Sequence, residues 1–597
     1  MGMTVGDHLI ERLGEWGVKR IYGYPGDGIN GLLGAFERHA DDMQFIQVRH
    51  EEMAAFMACA HAKFTGEVGV CCATSGPGAI HLLNGLYDAK LDHQPVVAIV
   101  GQTYVRAMGG SFQQEVDLLS LYKDVAAEYV QQVDNPAALR HVVDRAMRIA
   151  AAERTVTAVI IPGDVQEWDA VPTPPHATHT VHSGVGWNDP VVVPKEADLR
   201  AAADILNDGK KVAMLVGAGA LHATDEIIAV ADTLGAGVAK ALLGKAAVPD
   251  DIPFCTGSIG LLGTKPSWDL MMDCDTLLLV GTGFPYSEFL PEEGKAKAVQ
   301  IDLKARQQSI RYPIDVILPG DSRDTLRALQ PLLRHHEDRS WQDKIKKGVA
   351  DWWESMDKEG EPQMTPHDKL RPQGLFHAAS PRLPNETIIT SDSGSAANWY
   401  ARQIKIRRGM KASLSGNLAT MLPGVPYAIA AKFAYPDRCV VAFVGDGAMQ
   451  MLDMNELLTI ARHYRDWADP RLVVMVLNNG DLNQVTWEQR VLAGDPKFEA
   501  SQSVPPMNYA AFAEQLGLRG IRVERPDQVV PAWDEALSAD RPVVIDAVTD
   551  PDEPPLPPHI TFEQAKEFGT AILKEPGGMG LATATLKEKV QETVSRR

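Results

Sequence analysis

Two short apolar runs, each ending abruptly in small or polar residues, restrict the folds open to this chain. Cys-Val-Val-Ala-Phe-Val at 439–444 leads directly into Gly445-Asp446-Gly447, and Leu-Val-Val-Met-Val-Leu at 472–477 leads into Asn478-Asn479. Runs this short and this continuously apolar read as strands buried on both faces, as in a parallel sheet covered by helices. The polar residues then gather at one edge of that sheet. Asp446 can offer a carboxylate oxygen and Asn479 an amide oxygen to Mg2+, which takes few side-chain ligands and leaves its other positions to phosphate, backbone and water. Gly445 and Gly447 let backbone amides approach phosphate oxygens. A second Gly-Asp-Gly at 26–28 follows Tyr24-Pro25 without a matching Asn-Asn run, so it reads as a turn.

The same alternation of apolar runs and amphipathic stretches extends along most of the 597 residues, too many for one core. It predicts an α/β protein of three consecutive doubly wound parallel-sheet domains. The expected bounds are 1–180, 190–340 and 365–550, with a tail at 551–597. A Pro- and His-rich stretch from Val171 to about Pro194 reads as one linker, and a charged region around 338–366 separates the second and third units. No apolar run approaches the ~18 residues of a membrane span, and residues 1–8 lack signal-peptide character, so a cytoplasmic location is expected. The six cysteines form no Cys-x-x-Cys pair and read as buried free thiols. A net charge of −20 without a basic stripe argues against a nucleic-acid partner.

Taken together, Gly445-Asp446-Gly447 and Asn478-Asn479 resemble the signature of thiamine diphosphate enzymes. The 33 positions between Asp446 and Asn479 are a few more than the family's usual spacing, and the surplus falls in the polar stretch 465–470. Other segments match in order: Glu51, Thr74-Ser75-Gly76-Pro77-Gly78 and His81 to Ala89 resemble the pyrimidine-binding domain. The resemblance implies thiamine diphosphate and Mg2+ as cofactors, with Asp446, Asn479 and the Asp481 backbone carbonyl as metal ligands. It implies diphosphate contacts from Ser393, Gly394, Ser395, Gly445, Gly447 and Ala448, with Thr420 beside the cofactor. Met421 would be the wedge that bends the cofactor, and Glu51 would share a proton with its pyrimidine ring.

In the central third, Gly217 and Gly219 follow a strand without the third glycine of a dinucleotide fingerprint. Gly260-Leu261-Leu262-Gly263, then Gly281-Thr282-Gly283-Phe284-Pro285, then Asp302 resemble the FAD segment of pyruvate oxidases and pyruvate:quinone oxidoreductases. Phe112, Gln113 and Glu488 fall where these oxidases carry active-site side chains, whereas Gln484 replaces an aromatic residue common there. The resemblance implies FAD-linked oxidative decarboxylation of pyruvate or a related 2-oxo acid, with quinone or oxygen left open as electron acceptor. Trp487-Glu488 also resembles acetohydroxyacid synthases, so a carboligase of the acetolactate synthase type with structural FAD is the alternative. A non-catalytic flavoprotein or assembly subunit is the reading of another class. The site is expected between subunits, hence a homodimer or homotetramer. Leu586, Val590 and Val594 form a thin stripe on a partly basic tail, where packing on the protein's own surface is expected over membrane contact.

Overall fold

A computed structural model describes residues 2–555 together with 567, 568, 570, 571 and 574. Eighteen strands form three six-stranded sheets, and every pairing between named strands is parallel. The first sheet contains β1 (Arg20–Gly23), β2 (Gln44–Gln47), β3 (Gly69–Ala73), β4 (Val96–Gln102), β5 (Val130–Gln132) and β6 (Val156–Pro162). The second contains β7 (Val212–Val216), β8 (Gly237–Lys240), β9 (Cys255–Ser258), β10 (Thr276–Val280), β11 (Lys297–Asp302) and β12 (Val316–Pro319). The third contains β13 (Ile388–Ser391), β14 (Lys411–Leu414), β15 (Val440–Gly445), β16 (Leu472–Asn478), β17 (Arg519–Val523) and β18 (Val543–Val548). Three parallel sheets flanked by helices are the α/β architecture expected from the sequence.

The strand orders locate the crevices. The first sheet runs β2-β1-β3-β4-β6-β5 and the third β14-β13-β15-β16-β18-β17, the same topology twice. In each, the order reverses between the first and third strands of the unit, and ligands of open parallel sheets bind at such a reversal, beyond the carboxyl ends of the strands. The second sheet runs β12-β11-β10-β7-β8-β9 and reverses between β7 and β10.

Helices Glu51–Thr65 and Gly424–Ala434 contribute to one core shared by the first and third sheets. Both are rich in alanine and buried along most of their length, so their backbones can approach closely. Polar ties close the seam: Lys63 Nζ donates to Asp92 and to the Leu414 carbonyl, each at 2.6 Å, and Arg49 N donates to Glu456 Oε1 at 2.7 Å. Tyr427 hydrogen-bonds the buried Asp88.

The charged region placed between the second and third units is largely helical. Ser340–Glu359 places Trp341, Ile345 and Val349 in the second core, and its charges occupy the opposite face. Beyond the 3-10 turn Val165–Glu167 and the bridge of Asp169 to Thr4, the stretch after β6 lacks regular structure until helix Glu196–Asp208. All six cysteines are free and buried. No helix among the described residues is long and apolar enough to cross a membrane. Leu586, Val590 and Val594 lie outside the described residues.

Candidate active site

The reversal point of the third sheet is open. β13 ends at Ser391 and leads through Asp392 and Ser393 to Gly394, whose φ of +106° favours glycine and which caps helix Ser395–Gln403. β15 ends at Gly445 and turns into Asp446–Ala448. A Cβ added at Gly394 or at Gly445 would meet nothing within 4 Å. The matching point of the first sheet is shut: a Cβ on Gly26 would come within 2.5 Å of Thr74, and one on Gly28 within 2.3 Å of Ser75. One topology therefore gives an open turn at Gly394 and Gly445, with Gly447 packed beside Leu482, and a closed turn at Gly26-Asp27-Gly28.

Asp446 is 2% exposed. Its Oδ1 accepts from Gly447 N at 2.8 Å and its Oδ2 from Gly480 N at 2.6 Å. Burial pushes its carboxyl up to about 7, and no described Lys, Arg or His pairs with it. A buried carboxylate held only by amides suits a cation, because the ion would offset the desolvation and each oxygen retains a lone pair. Asn479 Oδ1 accepts from Asp481 N at 2.9 Å. The Asp481 side chain is turned to Thr486 Oγ1 at 3.0 Å and Lys497 Nζ at 3.3 Å. The oxygen-only donor set of Asp446, Asn479 and the Asp481 carbonyl fits Mg2+ in chemistry.

Met421 approaches this turn, with its Cε 3.3 Å from a Cβ built on Gly447. It is flanked by Ala419 at φ +53° and Leu422 at φ +87°, left-handed conformations that cost an L-residue about 1 kcal/mol or more. Strain of this kind persists only where surrounding structure enforces it. Thr420 Oγ1 donates to the Met421 carbonyl at 2.9 Å and accepts from Asn84 Nδ2 at 3.1 Å, tying the loop to the first domain.

Glu51 begins the helix Glu51–Thr65 and is 8% exposed. Its Oε2 lies 2.9 Å from His81 Nδ1, and the His81 ring packs on His50 with centroids 4.4 Å apart. A Cβ on Gly78 would lie 3.1 Å from Glu51 Oε1. Phe112 is exposed, as is Gln113; the neighbouring Gln114 is the residue that turns inward, its Oε1 accepting from Ser75 Oγ at 2.8 Å. Glu488 is exposed on helix Asn483–Glu488 and accepts from Gln484 Nε2 at 2.9 Å, while Gln484 Oε1 accepts from Asn398 Nδ2 at 2.6 Å. Gln484, the departure from the oxidase pattern, thus links Glu488 to the helix that starts at the cradle.

The central domain divides the expected FAD residues. Gly217, Gly219 and Gly281 pack backbone to backbone, since a Cβ on each would come within 2.5–2.9 Å of the facing chain. Gly283 faces open space, Gly260 and Gly263 close a turn against the Phe284 ring, and Asp302 ends β11 with its carboxyl raised by burial. Thr282 Oγ1 accepts from Phe284 N at 3.2 Å. Leu261 and Pro285 are exposed and Leu262 half-buried, with the Leu261 carbonyl accepting from Arg402 Nη2 at 3.1 Å.

Several buried acids were not singled out by sequence. Asp392, directly before the cradle, and Asp453, in the π-helical turn Met449–Asp453, form a fully buried carboxyl pair. Burial pushes Asp392 up to about 6; burial, then Asp392 itself, holds Asp453 well above the carboxylate range. Glu456 is buried and pushed up to about 7 by the same desolvation. His81 lay within a recognised run, but its pairing with Glu51 is tertiary.

The C-terminal and N-terminal TPP (thiamine pyrophosphate, the same compound as thiamine diphosphate) binding domains of the thiamine pyrophosphate enzymes match residues 392–547 and 3–121, and their central domain matches 199–329. YdaP of Bacillus subtilis, named as a thiamine pyrophosphate-containing protein, is 35% identical over 96% of each chain. Pyruvate oxidase of Lactiplantibacillus plantarum is 30% identical over 92% of this chain and 89% of its own. The large subunit of Escherichia coli acetolactate synthase isozyme 2 is 29% identical over 90% and 94%. The chain belongs to the thiamine pyrophosphate enzymes, related to pyruvate oxidase and to acetolactate synthase.

Proposed function

We propose that this protein oxidatively decarboxylates pyruvate or a close 2-oxo acid, with thiamine diphosphate and Mg2+ in the third-sheet cradle and FAD on the central domain. One observation carries the flavin-linked reading. Helix Ser395–Gln403 begins at the candidate diphosphate turn, and its Arg402 reaches the Leu261 carbonyl in the candidate flavin segment. The seven rises from Ser395 to Arg402 span roughly 10 Å. The far end of this helix is clamped to the central domain by Lys245 Nζ on the Ala401 carbonyl at 3.0 Å and Asp250 Oδ2 on Ile406 N at 2.7 Å.

Bound thiamine diphosphate supplies the nucleophilic carbon and the electron sink that decarboxylation of a 2-oxo acid requires. The chain's residues take the remaining roles. Amides at Gly394, Ser395 and Ala448 would hold diphosphate oxygens, with the Ser393 hydroxyl beside them, Gly445 leaving the approach open, and the Gly447 amide, which donates to Asp446 in this structure, positioned to turn to a phosphate oxygen once a cation takes that carboxylate. Asp446, Asn479 and the Asp481 carbonyl hold the metal. Met421, stiffened by its strained neighbours, fills the space beside Gly447, and Thr420 anchors that loop. Glu51 holds and returns a proton at one carboxylate oxygen while His81 fixes the other. Phe112, Gln113 and Glu488 face the substrate. For FAD, Gly260, Leu261, Leu262, Gly263, Thr282, Gly283, Phe284, Pro285 and Asp302 form the contact surface; Gly217, Gly219 and Gly281 shape it by close packing.

The Trp487-Glu488 pair and the acetolactate synthase relatives favour a second reading, a carboligase. The two separate in one experiment: anaerobic addition of pyruvate to protein loaded with thiamine diphosphate and Mg2+, followed in the visible range. Bleaching of a yellow chromophore is expected. A chromophore that stays oxidised while CO2 and acetolactate appear would establish the carboligase, and colourless protein would remove FAD from the proposal.

A further inference from the structure

His50, Glu51 and His81 each present one ligand atom, and the three atoms lie within 4.8 Å of one another. Two imidazoles and a carboxylate are a donor set for zinc-class ions, which accept nitrogen readily. It differs in kind from the all-oxygen set around Asp446 that suits Mg2+. The placement is favourable on three counts. Glu51 is fixed by its position at the start of a helix, and its Oε2 is already 2.9 Å from His81 Nδ1. The two rings pack with centroids 4.4 Å apart and planes at 31°, close enough for a nitrogen of each to share one ion with Glu51. His81 has a side chain 43% exposed, which leaves an entry path, and Gly78 places no side chain over Glu51 Oε1. His50 Nδ1 accepts from Glu52 N at 3.3 Å, leaving Nε2 as its free nitrogen.

We propose that in the cofactor-free protein these three residues bind one divalent ion of the zinc class, and that the ion excludes thiamine diphosphate from the pyrimidine side of the site. Ion binding stands on the geometry alone; the exclusion rests on the role given to Glu51 above. An ion here would occupy the carboxylate that the cofactor needs, so cofactor loading would depend on the free concentration of such metals. The other described group of this kind, His367 with Asp550 and Asp552, is mainly acidic, and Asp552 is paired with Arg490 at 3.3 Å.

Co2+ as a spectroscopic stand-in for zinc tests this directly on full-length protein stripped of cofactor. One equivalent should bind with a visible absorption band that survives excess Mg2+ and survives Asp446→Asn. The band should weaken in affinity by roughly tenfold or more in His81→Ala and in the near-isosteric Glu51→Gln, the least expected when one of three ligands is lost. Absence of the band in wild type, or its persistence unchanged in both variants, overturns the site. A band that depends on both residues yet is not displaced by thiamine diphosphate with Mg2+ retains the metal site and overturns the cofactor's placement on Glu51.

Discussion

At the scale of single residues, the site depends on carboxyls held away from water for different purposes. Glu51 keeps a polar partner in His81, and Asp446 is held by amides alone. If Glu51 moves a proton during turnover, Glu51→Gln should retain the circular dichroism and melting profile of the wild type while lowering kcat by ~10²–10⁴, the range of general acid-base assistance. Near-normal CO2 release from a folded variant would remove Glu51 from the mechanism. Glu456 has another role. Its Oε1 accepts the Arg49 amide and its Oε2 accepts the Thr459 hydroxyl at 2.7 Å, so it joins the third domain to the strand end that leads to Glu51. Its carboxyl is pushed up to about 7 from 4.5, chiefly by burial. The folded state therefore holds this proton more tightly than the unfolded chain, and stability falls as pH rises from about 4.5 through 7, by about 1.4 kcal/mol per unit at most. Glu456→Gln, an uncharged isostere, should melt close to wild type at pH 5 and above it at pH 8. Parallel melting curves at the two pH values would show that Glu456 titrates normally.

At the scale of elements, the sequence was legible where burial coincided with a continuous apolar run; β8 and β9 are buried throughout, but Gly-Val-Ala-Lys and Cys-Thr-Gly-Ser carry no such run. β3, β4, β6, β7, β10, β15 and β16 are buried along nearly their whole length, so their apolar runs stand out. β2, β5, β12 and β17 lie at sheet edges and are half exposed; β2, β5 and β17 mix polar with apolar residues, and the apolar run of β12 is cut short by Pro319. Helix Ser340–Glu359 was obscured for a related reason, since its charges dominate a segment that buries only a narrow apolar face. The surplus at 465–470 finds its explanation in packing. Trp467 enters the core against Phe433, and Lys432 Nζ, fully buried, donates to the carbonyls of Pro436, Arg438 and Asp469. The enlarged loop is thereby fastened to the end of helix Gly424–Ala434. Lys432→Met should leave three carbonyls without their donor and lower stability by about 2–4 kcal/mol, with kcat per folded molecule unchanged. A loss of kcat without a loss of stability in denaturant titration would instead place the loop in the reaction.

At the scale of the whole molecule, sequence reached the two half-sites and could not show how they are joined. Asp446 stood out through local pattern and Glu51 only through the family resemblance, whereas the pairing of His81 with Glu51 and of Asp392 with Asp453 depends on elements distant in sequence. Within one chain the first and third domains already share a core through Glu51–Thr65 and Gly424–Ala434, with Asn84 on Thr420 beside it. Both half-sites nevertheless keep open faces, at Gly394 and Gly445 on one side and at the half-exposed His81 on the other. If each face is completed by the other half from a second copy, two defective chains can repair one another. In a mixed dimer of Glu51→Gln and Asp446→Asn chains, one site collects both lesions and the other is built wholly from unaltered halves. Random exchange makes half of the dimers mixed, each with one intact site, so the mixture should recover about one quarter of wild-type activity from two preparations that are nearly inactive alone. Sites built within single chains would give no recovery at any mixing ratio. Co-expression of the two variants with different affinity tags, followed by isolation of the doubly tagged species and assay of CO2 release, distinguishes these outcomes, because in the doubly tagged dimer the expected activity rises to about one half.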